Sequence, residues 1–163
     1  MTRAYISIGS NIDRESNIRS GIRTLRERHG ELVISPIYDN PAVGFEGGRF
    51  YNLVVGLDTD VEAGPLAAEL REIERDHGRR PGIPKYSSRT LDLDLLTWGE
   101  RVFQSEGLKL PRPEILRFAF VLRPLADIAG NTRHPLDGRT FSEIWAAFDD
   151  SGESLTPVSV DLD

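Results

Sequence analysis

The run Arg89-Thr90-Leu91-Asp92-Leu93-Asp94-Leu95-Leu96-Thr97-Trp98 decides how this chain folds. Leucine and aspartate alternate through its centre, and a period of two marks a strand with one buried face. Leu91, Leu93 and Leu95 then share one face, and Asp92 and Asp94 share the other. Same-face neighbours on a strand lie ~7 Å apart, so both carboxylates reach one metal ion or bridge two ions ~4 Å apart. Oxygen ligands of this kind suit Mg²⁺, which keeps several waters and is completed by substrate phosphates. By itself the pair reads more readily as a solvated strand face, although aspartate is disfavoured in strands and like charges on one face repel.

The preceding loop reverses that preference. Residues 78–89 contain Arg79, Arg80, Lys85 and Arg89 and no acidic side chain, in a protein whose formal net charge is −6. A metal-bound triphosphate needs both halves of this arrangement: carboxylates for the metal and cations for the phosphate oxygens. The segment from Arg79 to Asp94 is therefore expected to bind a phosphorylated nucleotide. It does so without a glycine-rich GxxxxGK[ST] loop or a GxGxxG fingerprint, neither of which occurs. His29, His77 and His134 are scattered, with no zinc-site spacing, and His77 beside Gly78 reads as a helix-end residue at the surface. No GxSxG turn supports a serine nucleophile.

Outward from this strand, residues 4–10 (AYISIGS) read as a first strand followed by a turn at Gly9-Ser10-Asn11. Ile18, Ile22 and Leu25 recur at helical spacing within residues 14–29, and Gly30 follows as a C-terminal cap. A second strand is expected over 32–39, a loop over 40–49 (NPAVGFEGGR) and a third strand over 50–58. Leu66, Leu70 and Ile73 mark a second helix that ends near Gly78, and residues 90–98 form the fourth strand. The order βαββαβ gives an α+β fold of ferredoxin-like type, an antiparallel sheet with its helices on one face. The rest is a C-terminal helical extension. Two prolines fall in residues 108–113, a helical stretch over 114–128 is broken by Pro124, and a short helix covers 141–148. One domain is expected over 1–163, loosely held from about Ser151.

With no cysteine, disulfides, thiolate metal sites and cysteine nucleophiles are excluded. The start MTRAYISIGSN lacks the apolar run of a signal peptide, and no apolar stretch is long enough to span a membrane. A cytoplasmic location without membrane partners is the expectation. The acidic balance argues against general nucleic-acid binding, and the aromatic run of an RNA-binding sheet is missing.

Phe50 and Asn52 share a face of the third strand. An asparagine amide offers a donor and an acceptor together, which match the amide edge of a flat heterocycle such as a pterin, and Phe120 supplies a second ring. Spacing alone favours the core for Phe50 and Phe120.

Several segments resemble the 6-hydroxymethyl-7,8-dihydropterin pyrophosphokinase family: AYISIGSN, YDNPAVG, FYN, EIERDHGR, RTLDLDLL and FAFVLRPLADIA. RTLDLD after a basic loop is the most specific of them. The resemblance implies a monomer that transfers pyrophosphate from ATP to a hydroxymethyl-dihydropterin in folate synthesis, with two Mg²⁺ ions. By position it assigns the metal to Asp92 and Asp94, catalytic phosphate binding to Arg79 and Arg89, and ATP contacts also to Lys85, Tyr86, Leu95 and Arg112. It assigns the pterin to Asn40, Pro41, Ala42, Val43, Phe50, Asn52 and Phe120, and a supporting role to Glu74. The proton of the attacking alcohol would pass to Asp94 or to a metal-bound water, and the two loops 40–49 and 79–88 would close over the substrates. The sequence departs from the family at Tyr86, where tryptophan is usual, at Ser87-Ser88, at Arg112, where histidine is frequent, and at Phe118, where arginine is common and Arg117 is the nearest substitute. The rival readings are a metal-dependent phosphohydrolase using the same aspartates and a non-catalytic nucleotide- or RNA-binding module on the same fold.

Overall fold

The computed structural model describes residues 1–79, 82, 84, 86–105 and 107–163. The alternating run forms β5, Asp92–Trp98, and its neighbours explain why it alternates. β1 (Thr2–Ser10) lies between β5 and β4 (Phe50–Thr59). β4 is paired on its far side with β3 (Ile37–Asn40) and with the short β2 (Val33–Ile34). All of these pairings are antiparallel. The expected second strand is split because Pro36 has no N–H to donate. Ser35 makes the turn instead, with its hydroxyl accepting from the Val54 N–H at 2.9 Å.

One face of the sheet is covered by α1 (Arg14–His29) and α2 (Ala63–Asp76). Ile18, Ile22 and Leu25 of α1 and Leu66, Leu70 and Ile73 of α2 are buried against Ile6, Ile8, Leu53, Leu93 and Leu95. His77 joins the two helices, its Nε2 lying 2.8 Å from Ser20 Oγ and its Nδ1 2.8 Å from the Ile73 carbonyl, so it is a packing residue rather than a surface one.

The C-terminal helices take the other face of the sheet. α3 (Ala119–Ala129) and α4 (Phe141–Ala146) cover part of the opposite face, where Val121, Leu122 and Leu125 pack on Tyr5, Val54 and Leu96. Pro124 lies inside α3 without ending it; one hydrogen bond is forgone while the residues around it stay buried. A 3₁₀ turn at Pro113–Leu116 precedes α3, and the stretch before it is a hairpin of β6 (Phe103–Ser105) and β7 (Leu108–Leu110). The segment expected to be loosely held carries β8 (Thr156–Val158), which pairs with β3. Val158, Val160 and Leu162 pack against the core. Among the described residues no helix is long and apolar enough to cross a membrane.

Because α3 and α4 cover only part of their face, the remainder is a polar floor. Across it the register aligns Asp92 of β5 with Gly9 of β1, Gly9 with Asn52 of β4, and Asn52 with Tyr38 of β3. Asp94 is aligned with Ser7.

Candidate active site

This floor is the base of a cavity whose walls come from the loop after β3, the end of the 79–89 loop and the start of α3. Strand spacing of ~4.8 Å puts Asp92 and Asn52, two strands apart, on the order of 10 Å from each other. Gly9 lies between them because nothing larger fits. A Cβ there would lie 2.7 Å from Asn52 Oδ1 and 3.8 Å from the Phe50 ring. Gly9→Ala is therefore expected to tilt the Asn52 amide and to weaken binding of a ring at this end by about tenfold, the cost of one misplaced hydrogen bond. A titration that shows unchanged affinity would remove Gly9 and Asn52 from the site.

At this end Asn52 Nδ2 donates to Asn40 Oδ1 at 2.6 Å, and Asn40 Nδ2 donates to the Pro41 carbonyl at 3.1 Å. Both asparagines are largely buried, and both line the cavity, where an amide donor and acceptor can meet a ligand edge. Phe50, Phe45 and Phe120 line the space above them. Phe45 meets Phe50 edge-on at 6.3 Å, and Phe118 stacks on Phe120 with ring centroids 5.0 Å apart. A flat polar heterocycle fits such a slot, with ring faces for its π-surfaces and amides for its edge.

The other end is ionic. Arg79 Nη1 donates to Asp92 Oδ1 at 2.8 Å and to Glu74 Oε2 at 3.1 Å. Arg71 Nη1 pairs with Glu74 Oε1 at 2.9 Å, and its Nη2 donates to Asp94 Oδ1 at 3.1 Å and to the Leu93 carbonyl. Arg112 Nη2 lies 3.4 Å from Asp94 Oδ1, and its Nε is ion-paired with Glu114. Arg89 is buried, donating to the Ser87 hydroxyl and to the Pro84 and Ser88 carbonyls. Burial, with the negative charge of Asp92 beside it, pushes the Asp94 carboxyl up to about 6 against the pull of Arg112 and Arg71. Burial pushes Glu74 up to about 7 against the pull of Arg71. Burial, then the charge of Arg79, draws the Arg89 guanidinium below its usual value.

Local chain geometry delivers these cations. Gly78 has φ of 92°, its N–H bonds the Arg75 carbonyl at 3.0 Å, and the Arg79 N–H bonds the Glu74 carbonyl at 3.0 Å. That is a Schellman ending, and it turns the chain back so that Arg79 meets β5. The Arg112 N–H bonds the Leu96 carbonyl at 2.9 Å, which fixes the other guanidinium beside Asp94.

Asp92, Asp94, Arg79, Arg89, Arg112, Tyr86, Asn40, Pro41, Val43, Phe50, Asn52 and Phe120 thus line one cavity. Ala42 does not line it, and Lys85 lies outside the described residues. The Leu95 side chain is buried on the α1–α2 face, and Leu96 lines the cavity. Alternation requires this, since Leu95 falls on the same side as Leu91 and Leu93. Arg117 is exposed and away from the cavity, so it does not replace a cation at Phe118. Arg71, Glu114, Phe45 and Ser7 are cavity residues that the sequence did not flag.

Two carboxylates on one strand face, beside a charged cluster and open to a cavity, are a donor set that fits Mg²⁺. Among the described residues no group of three or more acidic, histidine or cysteine side chains forms a metal site without outside ligands.

The chain matches the family model described as 7,8-dihydro-6-hydroxymethylpterin-pyrophosphokinase over residues 5–130. It is 37% identical over 150 residues to the 2-amino-4-hydroxy-6-hydroxymethyldihydropteridine pyrophosphokinase of Pseudomonas aeruginosa, covering 89% of this chain and 91% of that one. With the enzyme of the same name from Aquifex aeolicus it shares 32% over 145 residues, covering 88% and 90%. A solved Plasmodium falciparum HPPK-DHPS, crystallised with SDX-DHP, superposes with a TM-score of 0.67 at 13% identity, over 90% of this chain and 43% of that longer chain, and shows likeness of fold. The extent and identity of the sequence matches leave no ambiguity of kinship: this chain belongs to the 7,8-dihydro-6-hydroxymethylpterin-pyrophosphokinase family.

Proposed function

We propose that this chain moves the β,γ-pyrophosphoryl group of ATP to the hydroxymethyl oxygen of 6-hydroxymethyl-7,8-dihydropterin and releases AMP. The observation that carries the reading is the row Asp92–Gly9–Asn52, with an amide-and-aromatic slot at one end and an acid–guanidinium cluster at the other. Asn52, oriented by Asn40, reads the amide edge of the pterin, and Phe50 and Phe120 hold its faces. The hydroxymethyl arm then points along the floor toward Asp92. Arg79, Arg89 and Arg112 hold the triphosphate, and Arg71 is added to that set.

Among the described residues the cluster sets the carboxyl groups of Asp92, Asp94, Glu74 and Glu114 beside the guanidinium groups of Arg71, Arg79, Arg89 and Arg112. ATP with two Mg²⁺ ions brings charge of both signs, and the cluster offers partners for both. Asp92 and Asp94 would hold the ions, and bound there Mg²⁺ neutralises the triphosphate oxygens and orients them. The alcohol oxygen forms a bond to the β-phosphorus, and the bond from that phosphorus to the bridging oxygen of AMP breaks. Phosphoryl transfer depends mainly on alignment and charge neutralisation.

The wider reading is a βαββαβ ferredoxin-like core, which the order β5-β1-β4-β3 supports, in a monomeric cytoplasmic enzyme. Nucleotide analysis of ATP and Mg²⁺ incubated with the protein tests the central claim. AMP is expected only when the pterin is present. ADP and phosphate formed without it would replace the reading with a hydrolase.

A further inference from the structure

Asn11, just beyond the end of β1, does not line the cavity, yet it joins the parts that do. Its N–H donates to the Arg89 carbonyl at 3.0 Å, and its Oδ1 accepts from the Arg89 N–H at 2.7 Å. Its Nδ2 donates to the Gly48 carbonyl at 3.1 Å and to Ser88 Oγ at 3.2 Å. One side chain therefore ties the sheet to the main chain of a phosphate-side arginine and to the loop that carries Pro41, Val43 and Phe45. The amide has the right inventory for this, with one acceptor and two donors used at once. The two loops also meet directly. The Gly44 backbone lies against the Tyr86 ring, with room for a Cβ only 3.2 Å from its Cγ, but Tyr86 is itself on a loop and exposed. Asn11 is the link that is rooted in the sheet.

On the reading of the site given above, we propose that Asn11 is a positioning residue that couples the two substrates. Nucleotide held on Arg89 fixes the Arg89 main chain. That fixes the Asn11 amide, and the amide holds Gly48 and the loop that closes over the pterin. A ligand at either end then lowers the ordering cost for the other, and the coupling is reciprocal. Aspartate cannot substitute: it keeps the acceptor for the Arg89 N–H, loses both donors and sets a negative charge against the Gly48 carbonyl.

The test is equilibrium binding of 6-hydroxymethyl-7,8-dihydropterin with and without Mg²⁺ and a nonhydrolysable ATP analogue. The parent is expected to show an affinity ratio of ~5–150, the usual range of coupling between sites. In Asn11→Asp and Asn11→Ala the ratio should fall to about 1–2, while affinity for the analogue alone changes by less than about threefold. Asn11→Asp is the informative variant if Asn11→Ala is too unstable, since Asn11 is partly exposed and tolerates an acid of the same shape. Variants that bind both ligands more weakly but keep the parent ratio have lost only structure, and that result overturns the inference. So does a parent with a ratio of one. A parent that binds neither ligand overturns the reading of the site itself, and the coupling falls with it.

Discussion

Asp94→Asn is expected to lower the rate of AMP formation about a thousandfold or more, the equivalent of ~4 kcal/mol of transition-state stabilisation. Folding stability should be preserved. Asparagine keeps the shape of the side chain and an acceptor for Arg71, which donates to Asp94 Oδ1 at 3.1 Å. It removes the charge needed to hold Mg²⁺ against water. The folded protein already disfavours that charge, because burial and Asp92 push the Asp94 carboxyl up to about 6. Neutralising it relieves the strain on the free protein, so activity and stability should move apart. Asp92→Asn should act alike on the rate, with a smaller relief because Asp92 is more exposed and is paired with Arg79. Chemical denaturation and steady-state turnover on both variants check this. Near-normal turnover in both would sink the metal assignment, whatever the denaturation curves show.

The parts of this site that could be read in the sequence were those with a local period. The alternation of RTLDLDLL placed two aspartates opposite three leucines, and the structure keeps them there. Leu95, which the resemblance assigns to an ATP contact, has its side chain on the leucine face by the same alternation. Asn40 came from the family resemblance alone, and Arg79 from the basic loop as well as that resemblance. What was not legible depends on register between distant elements. Arg71 is an ordinary polar residue of an amphipathic helix until α2 lies against β5 and puts it beside Asp94. The second helical layer left a fainter trace: Tyr5, Val54 and Leu96 are apolar residues on the polar face of the sheet, and α3 and α4 cover the area around them. The tail left a trace too, since Val158, Val160 and Leu162 alternate with Ser159, Asp161 and Asp163 in the pattern of a strand.

Glu74→Leu should cost about 3–5 kcal/mol of unfolding free energy, and Glu74→Gln only about 1 kcal/mol. Glu74 is 2% exposed and is the point at which the site is anchored to α2. Its Oε2 accepts from the Leu93 N–H, between the two aspartates, at 2.8 Å, and its two oxygens hold Arg79 and Arg71. Leucine fills the volume but leaves a buried N–H without an acceptor and two guanidinium groups without their shared anion. Glutamine keeps an acceptor for one side and loses the other. The charge itself matters less than the acceptors, since burial pushes the Glu74 carboxyl from its usual 4.5 up to about 7. The sign of the pH dependence follows. A carboxyl raised on folding contributes fully below its unfolded value of 4.5 and loses that contribution as pH rises through about 7. Glutamine does not titrate, so the stability gap between the parent and Glu74→Gln should narrow as pH rises from 4.5 to about 7 and stay level above it. Denaturation of the three proteins across that range decides the matter. Equal losses for leucine and glutamine would mean that Glu74 only fills space, and the alignment of Asp92 and Asp94 would then have to come from β5 alone.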